Sequence, residues 1–549
     1  MKKIMILIAL LLLQAAGAQS LSDTQKLEAT ARIWGFLKYY HPQVAAGKYN
    51  WDEKLIELLP VVEQVKTKEE LSLVYINWID GLGKVPVCKK CAEQSKKEYF
   101  DKNFDMGWME NSTVFTPELT AKLKYIEANR IQNKQHYVEK GGSGQVSIRN
   151  EPEYKDFSYP SQGYRMMTLF RYWNLIEYFF PYKYQTDQKW GDVLVEMIPK
   201  YRDAKNALQY QFAIIETVAK IDDSHAAITT EETDKYFGYY WAPFKFRLID
   251  DKAVVTGYFN KDLAGKDDMV IGDVITHVNG TSVKSLYEQN KPYLFASNES
   301  VMKRAAYYCI FNGQSDKVKI TVDRNGVTSE KEISRYKYRD LNYTWGADKD
   351  KTLYKVLDGN IGYVNMGAIE HKDVNTMLDS LKQCKSIIFD IRNYPNGTMY
   401  MIGHRLMAEE KPFVKFTQPD FNYPGKFEWT EDFKVGPKKN KNPYTGKIVV
   451  LVNEITQSHA EFTAMSMQVA DNVTVVGSQT SGADGNITNY FDFPGGYKTC
   501  FTGLGVFYPD GRETQRIGIV PDVEVRPTIA GIRAGKDEVL DKALEIANQ

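Results

Sequence analysis

The chain has 549 residues, too many for one ordinary core, so several domains are expected. Lysine plus arginine and aspartate plus glutamate both number 70, a balance that argues against electrostatic recognition of nucleic acid. Aromatic residues at 13% favour a folded, well-buried protein.

Residues 1–18, MKKIMILIALLLLQAAGA, set Lys2 and Lys3 before an apolar run that ends in Ala16-Gly17-Ala18. This is the pattern of a secretory signal peptide cleaved after Ala18, so the mature chain is expected to be exported, periplasmic or secreted. No later stretch reaches the ~18–20 apolar residues needed to span a bilayer.

Residues 19–238 form a helical region with an internal duplication. ARIWGFLKYYHP at 31–42 returns as FRYWNLIEYFFP at 170–181. One ungapped offset maps Arg32 to Arg171, Trp34 to Trp173, Pro42 to Pro181, Trp51 to Trp190 and Pro60 to Pro199. Each copy runs through helical spacing of apolar residues to an Ile-Asp pair. The first copy then enters Cys88-Lys-Lys-Cys91, whose spacing in an oxidising compartment reads as a local disulfide. A zinc site would want a second cysteine pair, which the sequence lacks; Cys309, Cys384 and Cys500 are scattered and expected to be buried. The Gly-rich GGSGQ at 141–145 reads as an exposed connection between copies. Only the second copy continues into Asp222-Asp223-Ser224-His225.

Short strands take over across residues 239–338. Ile271-Gly272-Asp273-Val274-Ile275 and Val278-Asn279-Gly280 resemble the strand meander of a PDZ domain, which implies capture of an extended peptide end. Across residues 339–549 strands alternate with helical segments, the pattern of a mainly parallel sheet covered by helices. Within it, SIIFDI at 386–391 ends in Arg392-Asn393-Tyr394-Pro395-Asn396-Gly397, where glycine permits close backbone approach to a ligand. The strand at 448–452 then passes through a polar turn to Ser458 at the start of a helical stretch. A hydroxyl there meets free N–H groups and the positive end of a helix dipole, a suitable place for a nucleophile whose attack creates an oxyanion. Downstream follow TSGADGN from Thr480 and GRETQRIGIVPDVEV from Gly511.

Taken in order, DIRNYPNG, the Ser458 turn, TSGADGN and the Pro-Asp closing strand resemble the S41 peptidases, the family of C-terminal processing proteases and the tricorn core. The resemblance implies a multidomain α/β fold with a crotonase-like core, a serine-type peptidase acting on peptides or unfolded polypeptides, and no metal or organic cofactor. In the processing proteases a lysine about 25 residues after the serine is the general base. Here no lysine or arginine stands between Ser458 and Lys498, so that dyad is excluded. The tricorn-like branch uses an upstream Ser-His instead, which makes His225 the expected base and Ser224 its companion. Neutral imidazole suits the task near neutral pH. Where that branch has a glutamate this chain has Gln515, which can orient a neighbour but brings no charge; Glu513 is the alternative. The N–H groups of Gly397 and His459 are expected to bind the oxyanion, and the His459 ring, about 100° round the helix from Ser458, to wall the site. Two other readings compete: a catalytically weakened peptide-binding scaffold, and a non-peptide acyl hydrolase.

Overall fold

The structure is a computed structural model and describes residues 20–94, 97–132, 134–341 and 352–549. The expected signal peptide lies outside the described residues. No described helix is long and apolar enough to cross a membrane.

Six helices carry the duplicated region: α1 (Asp23–Tyr40), α2 (Trp51–Gln64), α3 (Lys68–Asp80), α4 (Gln162–Phe179), α5 (Trp190–Arg202) and α6 (Ala207–Ala219). Ser22 and Gln25 close a capping box at the start of α1. A buried indole N–H needs an acceptor, and both copies solve this alike. Trp34 and Trp51 each donate to the other's carbonyl at 3.0 Å, and Trp173 and Trp190 do the same at 2.8 and 3.0 Å. Pro60 and Pro199 fall at matching places inside α2 and α5. The copies pack face to face, α1 on α4, where Asn174 Nδ2 donates to the Ala31 carbonyl at 2.9 Å. Gly35 allows this approach, because a Cβ there would sit 1.8 Å from Asn174 Oδ1.

The connection between copies is more ordered than its glycines suggest. Only Gly142 and Ser143 of its turn are exposed and Gly144 is buried; Val138–Lys140 pairs with Val146–Ile148, and the second of these strands is buried. The Ser143 hydroxyl accepts from Asn486 at 2.9 Å, so the hairpin is pinned to the C-terminal region. Cys88 and Cys91 are disulfide-bonded, with Cα atoms 5.5 Å apart. Intact mass should therefore rise by two hydrogens on reduction, with little change in melting temperature because the closed loop is very short. Zinc binding, or two free thiols in the oxidised protein, would contradict this. Of the remaining cysteines Cys384 and Cys500 are buried, while Cys309 is partly exposed.

A β module follows, with β1 (Phe244–Ile249), β2 (Lys252–Tyr258), β3 (Val274–Val278), β4 (Lys317–Arg324) and β5 (Val327–Ser334) hydrogen-bonded antiparallel in that order. It has its own apolar core, and the pairing of Tyr240–Trp241 with Tyr336–Lys337 brings its two ends together.

The C-terminal sheet has the order β6 (Tyr354–Leu357), β7 (Ile361–Asn365), β8 (Ser386–Asp390), β9 (Lys447–Val452), β10 (Val473–Gly477) and β11 (Val523–Glu524). All neighbours are parallel except β6, an antiparallel edge. A sheet covered on both faces reads as an unbroken apolar run, as β9 does. Ile448, Val450 and Val452 face the layer of α7 (Val374–Leu381), α8 (Met399–Leu406) and α9 (His459–Gln468), while Val449 and Leu451 meet α10 (Glu538–Asn548). Phe491, Phe493, Phe501 and Phe507 leave this core and join the apolar cluster of the duplicated helices. That shared cluster sets the segment after α6 against residues 500–502.

Candidate active site

β9 delivers the chain to Ser458 through a tight turn. Thr456 Oγ1 donates to the Ile391 carbonyl at 2.8 Å and the Ile455 N–H donates to Asn453 Oδ1 at 2.9 Å. Ser458 itself takes φ 57° and ψ −125°, a left-handed conformation costing a non-glycine residue about 1–3 kcal/mol. The buried carboxylate of Glu461 offsets this. It accepts the N–H groups of Ser458, Gly482 and Ala483 at 3.2, 2.8 and 3.1 Å and the Thr480 hydroxyl at 2.5 Å. The turn and the 480–483 loop are thereby held as one unit. Burial pushes the Glu461 carboxyl up from its ordinary value, and those hydrogen bonds pull the other way.

Ser458 and His225 line one cavity of about 1670 Å³, together with Ser224, Gln457 and His459. The Ser458 N–H is already donated to the Ala483 carbonyl at 3.0 Å. The N–H groups of His459 and Gly397 make no hydrogen bond among the described residues. Gly397 adopts φ 75°, and a Cβ there would lie 3.8 Å from His459 Nε2, so loop and helix start abut. Upstream of that loop Arg392 bridges Asp390 and Asp537, each at 2.7 Å, and further along Asn396 Nδ2 donates to the Ile369 carbonyl at 3.1 Å. The His459 ring walls the site beside Tyr394 and Phe462, and burial lowers its pKa.

His225 sits just beyond α6, its side chain 10% exposed. Its Nδ1 lies 2.8 Å from Thr502 Oγ1 and 3.9 Å from Asp223 Oδ1. Asp223 is buried and accepts the Thr502 N–H at 2.7 Å, the Thr502 hydroxyl at 2.9 Å and the His225 N–H at 3.0 Å. Burial lowers the imidazole pKa and the Asp223 carboxylate partly restores it. Neither Asp223 nor Thr502 is among the expected site residues. The aspartate two positions before the histidine was visible in the sequence; nothing local marks Thr502.

Neither Ser224 nor Gln515 hydrogen-bonds to the His225 ring or to Ser458. Ser224 and Ser297 exchange N–H to hydroxyl bonds at 2.8 Å each, and the Ser224 carbonyl accepts from Gln457 at 3.2 Å. Gln515 is buried and reaches this pair only through Ser297 Oγ, at 3.5 Å. Glu513 points away, its carboxylate engaged by Lys102, Tyr184 and Gln185. In the stretch where a processing protease carries its lysine, Asp484 lines the cavity at 3% exposure, its carboxyl pushed well up by burial and by Glu461.

Residues 360–525 match the profile of peptidase family S41. A "Probable CtpA-like serine protease" of Staphylococcus haemolyticus is 24% identical over 340 residues, 59% of this chain and 62% of the relative. The "Carboxy-terminal processing protease CtpA" of Bacillus subtilis is 26% identical over 263 residues, 46% of this chain and 48% of that one. The chain thus spans less than two thirds of either relative. Among solved structures, mature CPAF complexed with lactacystin superposes with a TM-score of 0.55 at 14% identity, covering 70% of this chain and 98% of that one. That likeness concerns the fold: multidomain α/β with a helical N-terminal region and a mixed-sheet core.

Proposed function

We propose that this chain, a member of peptidase family S41 through residues 360–525, hydrolyses peptide bonds by a serine mechanism centred on Ser458 and His225. One observation carries the reading: a strained serine at a helix start shares a cavity with a histidine, and no lysine stands between Ser458 and Lys498 to take its place. Ser458 Oγ attacks the scissile carbonyl while His225 takes its proton, and the N–H groups of His459 and Gly397 receive the oxyanion. His225 then protonates the leaving amine. Water, activated by the same imidazole, releases the acyl group and restores the serine. Ser224, Ser297 and Gln515 brace the backbone around the base.

Peptides or unfolded polypeptides are the proposed substrates, and the β module at 239–338 acts as a PDZ-like holder of a chain end. The Ala16-Gly17-Ala18 pattern and the Cys88–Cys91 bridge support export. Fluorophosphonate labelling of the purified protein tests the nucleophile. Covalent adduct at Ser458 is expected, and an unlabelled wild type would end the serine-enzyme reading.

A pH dependence follows from burial. An imidazole with a lowered pKa remains a free base below pH 6.5, so the acid limb of kcat/KM should fall below that value. Stability falls on the acid side as well. Unfolded histidines protonate near their ordinary pKa, whereas His225 and His459 in the folded state, and His41 with a pKa held at about 4, resist the proton. Their contribution is therefore fully present above pH 6.5 and is lost as pH falls toward about 4. Rate profiles and thermal melts over the same pH range check both signs. An acid limb above pH 6.5 would place the base elsewhere.

A further inference from the structure

The expected fourth member of the relay, Gln515, does not reach the base. The question is what fixes the His225 ring and answers its charge. A base that must take a proton from a serine needs its other ring nitrogen held as a donor, so that one nitrogen stays free to accept.

The threonine between ring and carboxylate settles the direction of these bonds. A threonine hydroxyl has one proton. With Asp223 Oδ1 at 2.9 Å as its acceptor, Thr502 Oγ1 can only receive at 2.8 Å from His225 Nδ1–H. That selects the tautomer protonated on Nδ1 and leaves Nε2 as the free base. Asp223 is itself rigid. Its two oxygens are held by the backbone N–H groups of both partners, Thr502 at 2.7 Å and His225 at 3.0 Å, so ring, hydroxyl and carboxylate form one closed set.

We infer that Thr502 and Asp223 are the positioning pair of this site, a threonine-bridged carboxylate that sets the His225 tautomer and faces the imidazolium formed during attack. The inference rests on the reading of Ser458 and His225 as nucleophile and base. The pair does the work that a carboxylate bonded directly to histidine does in a Ser-His-Asp triad. Here the hydroxyl relays the orientation, and the charge acts across 3.9 Å. Other ionisable groups pack around this turn: Tyr172 beside Asp223 and Cys500, Cys500 with its thiol 3.4 Å from the His225 carbonyl, and Tyr490 beside Cys500. Burial raises Tyr172 and holds the Cys500 thiol at about 11, so both stay neutral in the working range, and Tyr490 is raised as well, chiefly by Cys500. Asp223 is the carboxylate among them.

Three variants of the full chain test this: Thr502→Val, Thr502→Ser and Asp223→Asn. Thr502→Val keeps the volume and removes the relay, so the rate of fluorophosphonate labelling and kcat/KM should drop about 100-fold. Thr502→Ser restores the hydroxyl and should stay within about threefold of wild type. Asp223→Asn should lower the rate about 100-fold or more and move the acid limb toward lower pH, because the imidazolium loses its facing charge.

A second measurement does not depend on turnover. Imidazole nitrogen NMR on a Ser458→Ala background should show His225 protonated on Nδ1 in the neutral form, and Thr502→Val should weaken that preference and alter the titration. Equal rates in the valine and serine variants together with an unchanged imidazole spectrum would overturn the inference. If Asp223→Asn fails to fold, the two Thr502 variants still decide. An unlabelled wild type with the expected tautomer would sink the peptidase reading alone; a labelled wild type with Thr502→Val unaffected would sink only the positioning pair.

Discussion

Ser458→Ala should be without measurable peptidase activity and should form no fluorophosphonate adduct, a loss of about 10³ to 10⁶ in rate. The size follows from the chemistry. Without the hydroxyl no acyl-enzyme can form, and what remains is whatever the oxyanion donors achieve with water as nucleophile. The fold should be untouched, because the backbone at residue 458 is held by the Glu461 carboxylate and the Ala483 carbonyl. A companion variant separates chemistry from strain. Ser458→Gly is equally dead but relieves φ 57°, so it should melt no lower than Ser458→Ala and gain up to about 1 kcal/mol. Turnover surviving in either variant would remove Ser458 from the mechanism.

His225→Ala is expected to lose nearly as much activity, and the Ser458→Ala, His225→Ala double variant to be scarcely worse than either single one. Nucleophile and base act on one proton, so removing the second after the first costs little. Additive losses would show that the two residues serve different steps. His459→Ala is the control. Its ring walls the cavity and its N–H is proposed for the oxyanion, and the backbone group survives the substitution, so any loss should fall mainly on KM. A dead His459→Ala beside an active His225→Ala would reverse the assignment of the base.

Asp223 shows how far a local motif can be read. Asp222-Asp223-Ser224-His225 offers two carboxylates, and no periodicity tells which one serves the ring. In the structure Asp222 takes φ 51° and faces the Asp187 N–H at 2.7 Å and Arg516 at 3.6 Å, with burial raising its carboxyl to about 6. Asp223 turns inward to Thr502 instead. Gln515 shows the opposite limit. The resemblance to a glutamate position pointed to a residue that ends against Ser297, while the carboxylate 3.9 Å from the His225 ring comes from that histidine's own segment, two residues before it.

The sequence by itself determined what depends on near neighbours. The indole pairs of the two helical copies were legible because the same tryptophans recur at the same spacing, and each pair closes within 17 residues. The Ser458 turn was legible too, because a buried strand, a polar turn and a helix start are contiguous. Thr502 belongs to another class. It lies 277 residues from His225 and meets it where Phe491, Phe493, Phe501 and Phe507 pack into the core of the duplicated helices. Burial of apolar surface is non-directional and brings such segments together without leaving a mark on their local pattern. The turn that carries the proposed nucleophile could therefore be read along the chain, whereas the partners of the proposed base were decided by packing between regions far apart in it.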